Sequence, residues 1–385
     1  MTFKSTPIYA DHAATTPLMP EALDAMLPWL KEGFGNPSSL HSFGREAHKA
    51  LEEARATIAE CIGAKPEEIF FTSGGTESDN WALKGVMREV RDLGRNRLAV
   101  SSIEHHAVLN AAQDLALEGF IVDTIDVRTD GWTKAQSLSD ALYPETGLVS
   151  IQLANNEIGT IQRIADFARI THRSHAFFHT DAVQAVGHIH VDVREIGVDL
   201  LSASAHKFNG PKGVGFLYMK KGTHMRAVQQ GGMQELGMRA GTENVAGIVG
   251  MAMALKHNVE NLEANEHHVR QLADRLRDGI RSICPQVVFN GHRRDRLPGI
   301  VSVAIPGHPA EGMLHILDMK GIAVSVGAAC NSKVTTISHV LKAIGLPDEL
   351  ASCTLRISFG PDNSGKDVET ILNAFRIIKR TDGNS

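Results

Sequence analysis

Short apolar runs recur through the first 250 residues and alternate with stretches of helical pattern. The runs show no strict apolar–polar alternation, which is typical of strands covered by helices on both faces. We interpret five of them as strands: residues 67–72, 97–103, 148–154, 176–182 and 198–204. Helical patterns at 44–63 and 77–94 end at glycines, which commonly terminate helices. The pattern predicts an α/β domain in which a mostly parallel sheet lies between helices.

The pattern changes near residue 250, where a long stretch with charges on one side covers residues 245–284. Three shorter strand-like runs follow, and helical patterns near 309–320, 336–345 and 365–379 alternate with them. We predict a smaller α+β domain that is entered through one long connecting helix. The predicted boundaries place residues 16–258 in the large domain and residues 1–15 with 259–385 in the small one.

Composition narrows the possible partners. The net charge of -5 provides no basic surface, so we expect no direct binding to nucleic acid and none to anionic lipid. No stretch approaches the ~18 consecutive apolar residues that a membrane helix needs. The N-terminal sequence has no continuous apolar core of the kind found in secretory signals. These features predict a cytoplasmic protein that does not bind membranes.

The cysteines are few and widely spaced. None of them forms a CxxC pair, which argues against a disulfide framework and against a zinc site. We therefore predict no metal site, and we expect any functional cysteine to act as a single thiol. The four are Cys61, Cys284, Cys330 and Cys353.

A lysine follows the strand-like run at 198–204, where the chain enters a loop rich in glycine and proline. Lysines are seldom buried without a partner. Lys207 is therefore a candidate Schiff-base lysine, which needs a desolvated amine near a carbonyl group. The alternative is a side chain at the sheet edge that extends to water. On its own, the sequence does not decide between the two.

An acidic residue follows the run at 176–182 in the same way. Asp181 stands where the strand should end, and a buried carboxylate needs a cation or several hydrogen-bond donors. The protonated pyridine nitrogen of pyridoxal phosphate is such a cation. Gln184 could contact the phenolic oxygen of the same ring. Taken alone, Asp181 is better explained as the N-cap of a helix.

The segment 73–76, Ser-Gly-Gly-Thr, joins a strand to a helix. Free N–H groups at the start of a helix attract phosphate, and glycines allow its close approach. Gly75 and Thr76 are therefore candidate phosphate ligands. The segment matches neither the P-loop nor the dinucleotide-binding pattern, so ATP and NAD are disfavoured. An ordinary strand-to-helix turn is the alternative.

Two further polar segments follow strands. His105 could stack on a cofactor ring or relay a proton, and we expect the adjacent His106 to face elsewhere. Asn156, in the segment 155–157, could donate to cofactor and substrate oxygens, and loop capping is its alternative. Each signal is weak alone. Together they point to one ligand site, because ligands of open parallel sheets bind at the carboxyl ends of the strands.

The whole set of motifs resembles the cysteine desulfurases of the NifS/IscS type, within the class V aminotransferase-like pyridoxal-phosphate enzymes. The resemblance runs from about Tyr9 to Gly360 and includes TSGGTESDN, EHHAVL, NNEIG, HTDAVQ, SAHKFNGPKGVG, GMRAGTEN and SVGAACNS. It implies the transferase fold type I, with a seven-stranded, mostly parallel sheet in the large domain. It also implies an enzyme that converts L-cysteine to L-alanine.

The resemblance assigns roles to individual residues. Lys207 binds pyridoxal phosphate and moves the substrate Cα proton, Asp181 pairs with the ring nitrogen, and His105 stacks on the ring as an acid–base group. Asn156 and Arg356 hold the substrate carboxylate, and Asn36 also belongs to the substrate site. The residues expected around the cofactor phosphate are Gly75, Thr76, Ser204, His206 and, from the partner of a homodimer, Thr242.

Cys330 is the residue that the resemblance identifies as the sulfur acceptor. Small and polar residues follow a strand-like run there, which favours an exposed loop, and a nucleophilic thiol needs access. We expect Cys61 and Cys284 to be buried core residues. Cys353 is the competitor, but it directly precedes the strand of Arg356 and looks structural.

The acceptor of the sulfur is left open. The sequence is compatible with an iron–sulfur scaffold, a tRNA-thiolation relay or DNA-phosphorothioation machinery. The short segment after Gly360 favours a specialised acceptor over a general iron–sulfur role. Two other functions stay possible: selenocysteine cleavage or transamination by a related enzyme, and a non-enzymatic sulfur-binding subunit.

Overall fold

The computed structural model describes residues 7–326 and 337–380. The strands are β1 Ile8–Tyr9, β2 Ile69–Thr72, β3 Arg97–Ser101, β4 Ile121–Ile125, β5 Thr146–Ser150, β6 Phe177–Asp181, β7 Leu200–Ser204, β8 Gly215–Met219, β9 Val288–Phe289, β10 Ile300–Ala304, β11 Ile322–Ala323 and β12 Thr354–Ser358. The first eight helices are α1 Pro20–Lys31, α2 Ser42–Cys61, α3 Gly75–Val90, α4 His106–Leu117, α5 Ala135–Asp140, α6 Ile164–His172, α7 Val193–Ile196 and α8 Val245–Glu260. Those that follow are α9 Leu262–Ile283, α10 Ala310–Met319, α11 His339–Ala343, α12 Asp348–Ala351 and α13 Gly365–Arg380.

The large sheet has seven strands in the order β2-β8-β7-β6-β5-β3-β4. Its strands are parallel except β8, which runs antiparallel to both of its neighbours. Neighbouring residues of one strand enter different cores: Leu148 belongs to one apolar cluster and Val149 to another. Both faces are therefore covered, which explains the absence of alternation in the sequence. The predicted α/β fold and its mostly parallel sheet are confirmed.

One predicted helix starts earlier than the sequence pattern indicates. Helix α3 begins at Gly75 rather than at residue 77, and it ends at Val90. A short 3-10 turn then leads to Gly94, whose φ of 77° ends the helical segment. The early start matters for the site, because it places the first N–H groups of α3 at the two glycines of the segment 73–76.

The single connecting helix predicted for residues 245–284 is wrong. The chain forms two helices there, α8 and α9, separated at Asn261. The Asn261 side chain donates a hydrogen bond to the backbone oxygen of His257. Asparagine competes in this way with helical hydrogen bonding, so it favours helix ends over helix interiors.

The remaining strands lie outside the large sheet. Strands β12, β10 and β9 form an antiparallel sheet, against which α9 and α13 pack. Strand β1 pairs in parallel with β11, which brings the N-terminus to this second unit. The chain then crosses to the large sheet, where the Thr16 N–H donates to the His206 carbonyl. Residues 11–16, called here the crossing segment, consequently pass over the carboxyl ends of the central strands.

Across the part of the chain that the structure describes, every helix is too short or too polar to cross a membrane.

Candidate active site

A cavity of about 470 Å³ opens at the carboxyl ends of the central strands. Such a volume suits a small organic cofactor together with its substrate. The structure brings ten of the predicted site residues to its walls: Gly75, Thr76, His105, Asn156, Asp181, Gln184, Ser204, His206, Lys207 and Arg356.

Three predicted site residues are not found in this cavity. Asn36 and Thr242 are exposed and lie outside its lining in the single chain. Cys330 lies outside the described residues. Their roles stay predictions. Among the other cysteines, Cys284 and Cys353 are buried as expected, whereas Cys61 is only half-buried.

Lys207 lies in a 3-10 turn, Ala205–Lys207, directly after the fully buried strand β7. Its Nζ donates hydrogen bonds to the carbonyl oxygens of Ala13 and Ala14, at 2.7 and 2.9 Å. The crossing segment therefore holds the amine inside the cavity and prevents it from extending to bulk water. This geometry removes the alternative of a surface lysine.

Asp181 ends β6 at the floor of the cavity, with 6% of its surface exposed. Its Oδ1 accepts the Val183 N–H at 2.9 Å. Burial raises the pKa of Asp181, while His105 and Lys207 partly offset that effect. A cationic ring nitrogen above this carboxyl would stabilise its charged form.

The adjacent histidines both reach the cavity, so the expectation that His106 faces elsewhere is wrong. His105 is the extended N-cap of α4 and His106 is its first helical residue, and the backbone bends between them. His105 Nδ1 accepts the Ala107 N–H at 3.1 Å, which leaves Nε2 as the protonated nitrogen of the neutral ring. Burial lowers the pKa of His105 and keeps it neutral.

Gly74, Gly75 and the start of α3 form an anion-binding part of the cavity wall, called here the anion cradle. A Cβ added to Gly75 would lie 2.5 Å from Val183 Cγ2, and Gly74 has a φ of 147°. Both positions therefore require glycine. The first N–H groups of α3 have no carbonyl partner within the helix and point out of its start. Ser204 and His206 close the cradle, and burial lowers the pKa of His206 to about 4.

Arg356 reaches the cavity from β12, and its guanidinium is almost fully buried. It donates to the Asn156 carbonyl from Nη1 and to Asp11 Oδ1 from Nη2, both at 2.9 Å. Its Nε is buried and has no hydrogen-bond partner among the described residues. A carboxylate that bound side-on to Nε and Nη2 would satisfy this donor.

The sequence predictions miss several residues of the cavity wall, among them Asp79, Glu157 and His339. They also miss Asp11, which accepts a hydrogen bond from Arg356. Asp79 lies four residues after Gly75, so one helical turn places both on the same face of α3. That spacing is a signal that the sequence offers. Asp11 and His339 come from segments far away in the sequence, and neither has a comparable local signal.

The comparisons with known proteins agree with this geometry. The pattern of the family described as aminotransferase class-V matches residues 8–371. The cysteine desulfurase IscS of Clostridium botulinum is 45% identical over 376 residues, which are 97% of this chain and 94% of that protein.

Solved structures agree as well. A NifS-like protein superimposes with a TM-score of 0.92 at 36% identity, covering 98% of this chain and 100% of the other. SspA in complex with cysteine gives a TM-score of 0.81 at 34% identity, with 93% and 100% covered. The matches span nearly the whole length of each protein. The chain belongs to the aminotransferase class-V family, in which its relatives are cysteine desulfurases.

Proposed function

We propose that this protein is a cysteine desulfurase that uses pyridoxal phosphate to convert L-cysteine to L-alanine and transfers the sulfur to Cys330. One arrangement carries the proposal: a lysine amine, a buried acid, an anion cradle and a buried arginine with an unpartnered Nε line one cavity. The desulfurase relatives and the relative solved with cysteine support the same choice of substrate.

The residues present fit the cofactor at each of its ends. The glycine cradle and the start of α3 accommodate a phosphate, because they present N–H donors and no side chain at Gly74 or Gly75 blocks the approach. Asp181 provides a carboxylate for the ring nitrogen, and Lys207 provides the amine that binds the aldehyde. Gln184 is held beside the ring site by its hydrogen bond to the Ala13 carbonyl at 2.8 Å.

When bound, pyridoxal phosphate supplies the electron sink that makes the Cα proton of cysteine acidic. Lys207 Nζ takes that proton, and it is already held inside the cavity by two carbonyl oxygens. Arg356 orients the substrate carboxylate from its position in the cavity wall. The crossing segment and α11 form part of the wall of the same cavity.

The sulfur step is balanced between the substrate and one thiol. The Cys330 sulfur attacks the substrate sulfur, an S–S bond forms, and the substrate Cβ–S bond breaks. The thiol is oxidised to a persulfide while cysteine becomes alanine, so no other oxidant is required. Cys330 lies outside the described residues, and its motif in the sequence carries this assignment.

The persulfide then passes its sulfur to an acceptor protein. We propose a homodimer in which Thr242 approaches the phosphate of the partner subunit, since this exposed residue lies outside the cavity of its own chain. Asn36 is proposed for the substrate site of the assembled enzyme. We further propose a cytoplasmic location, as expected for a reduced, reactive thiol.

The experiment that tests the function measures alanine and persulfide after mixing the pyridoxal-phosphate-loaded enzyme with L-cysteine. Wild type should release alanine and carry one additional sulfur atom, seen by intact-mass analysis. Cys330→Ser should lose the added sulfur, and Cys353→Ser should keep it. A Cys330→Ser enzyme that releases alanine and accumulates sulfur at the wild-type rate would refute the assignment.

A further inference from the structure

Three carboxyl groups lie close together at the floor of the cavity. The ring of the cofactor can supply only one positive charge to balance them. They are Asp79 on α3, Glu104 after β3 and Asp181 at the end of β6, and each is 6% exposed or less. Ligand atoms of Asp79, Asp181 and His105 lie within 4.8 Å of one another. Two negative charges this close in a dry site repel strongly, so they are not both ionised.

The imidazoles that face these carboxyls do not supply the missing positive charges. His179 Nε2 is 3.6 Å from Asp79 Oδ1, a distance that suggests an ion pair. However, the two ring nitrogens of His179 contact the hydroxyls of Ser150 and Ser202, and burial lowers its pKa to about 3. The contact is therefore one between neutral groups. The pKa of His105 is lowered by burial as well.

Among the described residues, Lys207 is the remaining cation that acts on Asp181. Its amine bonds to the cofactor in the proposed enzyme, which leaves the ring nitrogen as the counter-charge at the floor. One positive charge balances one carboxylate. The hydrogen bonds then decide which of the three carboxyls is ionised.

Asp181 is the carboxyl with the best stabilisation of a negative charge, because it accepts the Val183 N–H and lies near Lys207. Asp79 pairs with the Ser202 hydroxyl, but its Oδ1 has no partner among the described residues. Glu104 Oε1 accepts the Gln152 N–H, and its Oε2 is likewise unpartnered there. An unpartnered buried oxygen costs far less on a neutral acid than on an anion.

We propose that Asp79 and Glu104 are protonated positioning residues, which leave the negative charge of the floor on Asp181, facing the ring nitrogen of the cofactor. Burial, followed by the charge of Asp181, raises the pKa of Asp79, and burial raises the pKa of Glu104. The proposal rests on the proposed function for the identity of the ring. The protonation itself follows from the three carboxyls.

The sign of the effect on stability can be tested without the cofactor. A carboxyl whose folded pKa is raised binds more protons in the folded chain than in the unfolded one. Its contribution to stability is present at low pH and is lost as the pH rises from about 4 towards the folded pKa. Asp79→Asn retains shape and neutrality but cannot ionise, so this variant should escape the loss.

The experiment compares thermal unfolding of the full chain, freed of pyridoxal phosphate, from pH 4.5 to pH 8. The Tm of Asp79→Asn relative to wild type should rise by several degrees across this range, and Glu104→Gln should behave alike. The exposed variant Asp318→Asn is the control and should show no trend. A relative Tm for both variants that is constant or falls with pH would overturn the proposal.

The loaded enzyme provides a second readout, because the affinity for the cationic ring depends on which of the carboxyls carries the negative charge. Asp79→Asn should change the affinity for pyridoxal phosphate less than twofold, whereas Asp181→Asn should weaken it at least about tenfold. Equal losses in both variants would show that Asp79 carries a charge, against the proposal. If the chain bound no pyridoxal phosphate but kept the pH trend, the proposed function would fail while the protonation stood.

Discussion

The floor of the cavity comes from elements of the large sheet and the helix packed on it, whereas the end that holds Arg356 is assembled from distant parts of the chain. At the floor, Asp79 and Asp181 belong to elements packed within the large sheet. At the other end, Arg356 and Asp11 are 345 residues apart in the sequence. The positions of the floor residues therefore depend on the packing of the large sheet. The positions of Arg356 and Asp11 depend on how β12 packs against the crossing segment. We expect floor substitutions to affect cofactor binding and substitutions at the other end to affect the use of cysteine.

The largest expected effect belongs to the amine between these two regions. Lys207→Ala should reduce alanine release from L-cysteine at least about a thousandfold, because it removes both the cofactor bond and the proton acceptor. Lys212→Ala is the matched control, since this lysine also lines the cavity but is exposed. Alanine release is measured with saturating pyridoxal phosphate. Similar losses of alanine release in the two variants would show that Lys207 is not the catalytic lysine.

Arg356→Ala should have the next largest effect, and it should act on the substrate. We expect the KM for L-cysteine to rise about a hundredfold, because the substrate carboxylate loses a buried, charge-assisted fork. The affinity for pyridoxal phosphate should change little, and exposed Arg293→Ala serves as the control. Steady-state kinetics and cofactor titration measure the two quantities. Loss of cofactor affinity with an unchanged KM would contradict the division between the regions.

Two substitutions of Asp11 should have smaller effects on the KM for L-cysteine, and the two effects should have opposite signs. Its carboxylate holds Nη2 of Arg356 and also repels an incoming carboxylate. Asp11→Asn keeps an oxygen acceptor without the charge, so the KM for L-cysteine should fall about fivefold. Asp11→Ala should raise the KM, because the guanidinium loses its orientation. A rise in both variants would mean that the charge of Asp11 assists substrate binding.

The smallest effect is expected for a substitution of Ser338, and it should change the stability of the fold alone. The Ser338 hydroxyl accepts N–H groups at the start of α11 and donates to Glu157 Oε2 at 2.6 Å. Ser338→Ala should lower the free energy of unfolding by about 1 kcal/mol, as is usual for a lost N-cap, and leave cofactor affinity unchanged. Urea unfolding measures the change. Ser352→Ala, which removes an exposed hydroxyl, is the control and should cost less.

Two groups of the floor, His105 and Asp181, could be predicted from the sequence, because each follows an apolar run. His105 and Asp181 stand where predicted strands end, and parallel strands bring such ends to one edge. The prediction that His106 faces away from the cavity was wrong, because it assumed the alternation of side chains found in a strand. His105 is an N-cap and His106 begins a helix, so that alternation does not apply there. The interpretation of the sequence also failed at Asn261, where the pattern suggested one helix although an asparagine ends the first of two.

The other end of the cavity shows where local patterns stop being informative. The family motifs provided Arg356 and Asn156, but no pattern indicated that Asp11 would be the counter-charge. That contact forms because β1 pairs with β11 and thereby carries the N-terminal segment towards β12. Pairings between distant strands are decided by packing of the complete chain, and sequence periodicity carries no record of them.

By itself, the sequence determined the α/β fold, the polar residues that follow its strands, and the family whose motifs contain these residues. These are local properties: apolar runs specify buried strands, glycines specify the cradle, and polar residues after strands specify a ligand edge. Only the tertiary structure decided that Arg356 meets Asp11 and that Asp79 and Glu104 lie with Asp181. Burial and proximity set the charge of each of these groups, and both arise when separate elements pack together.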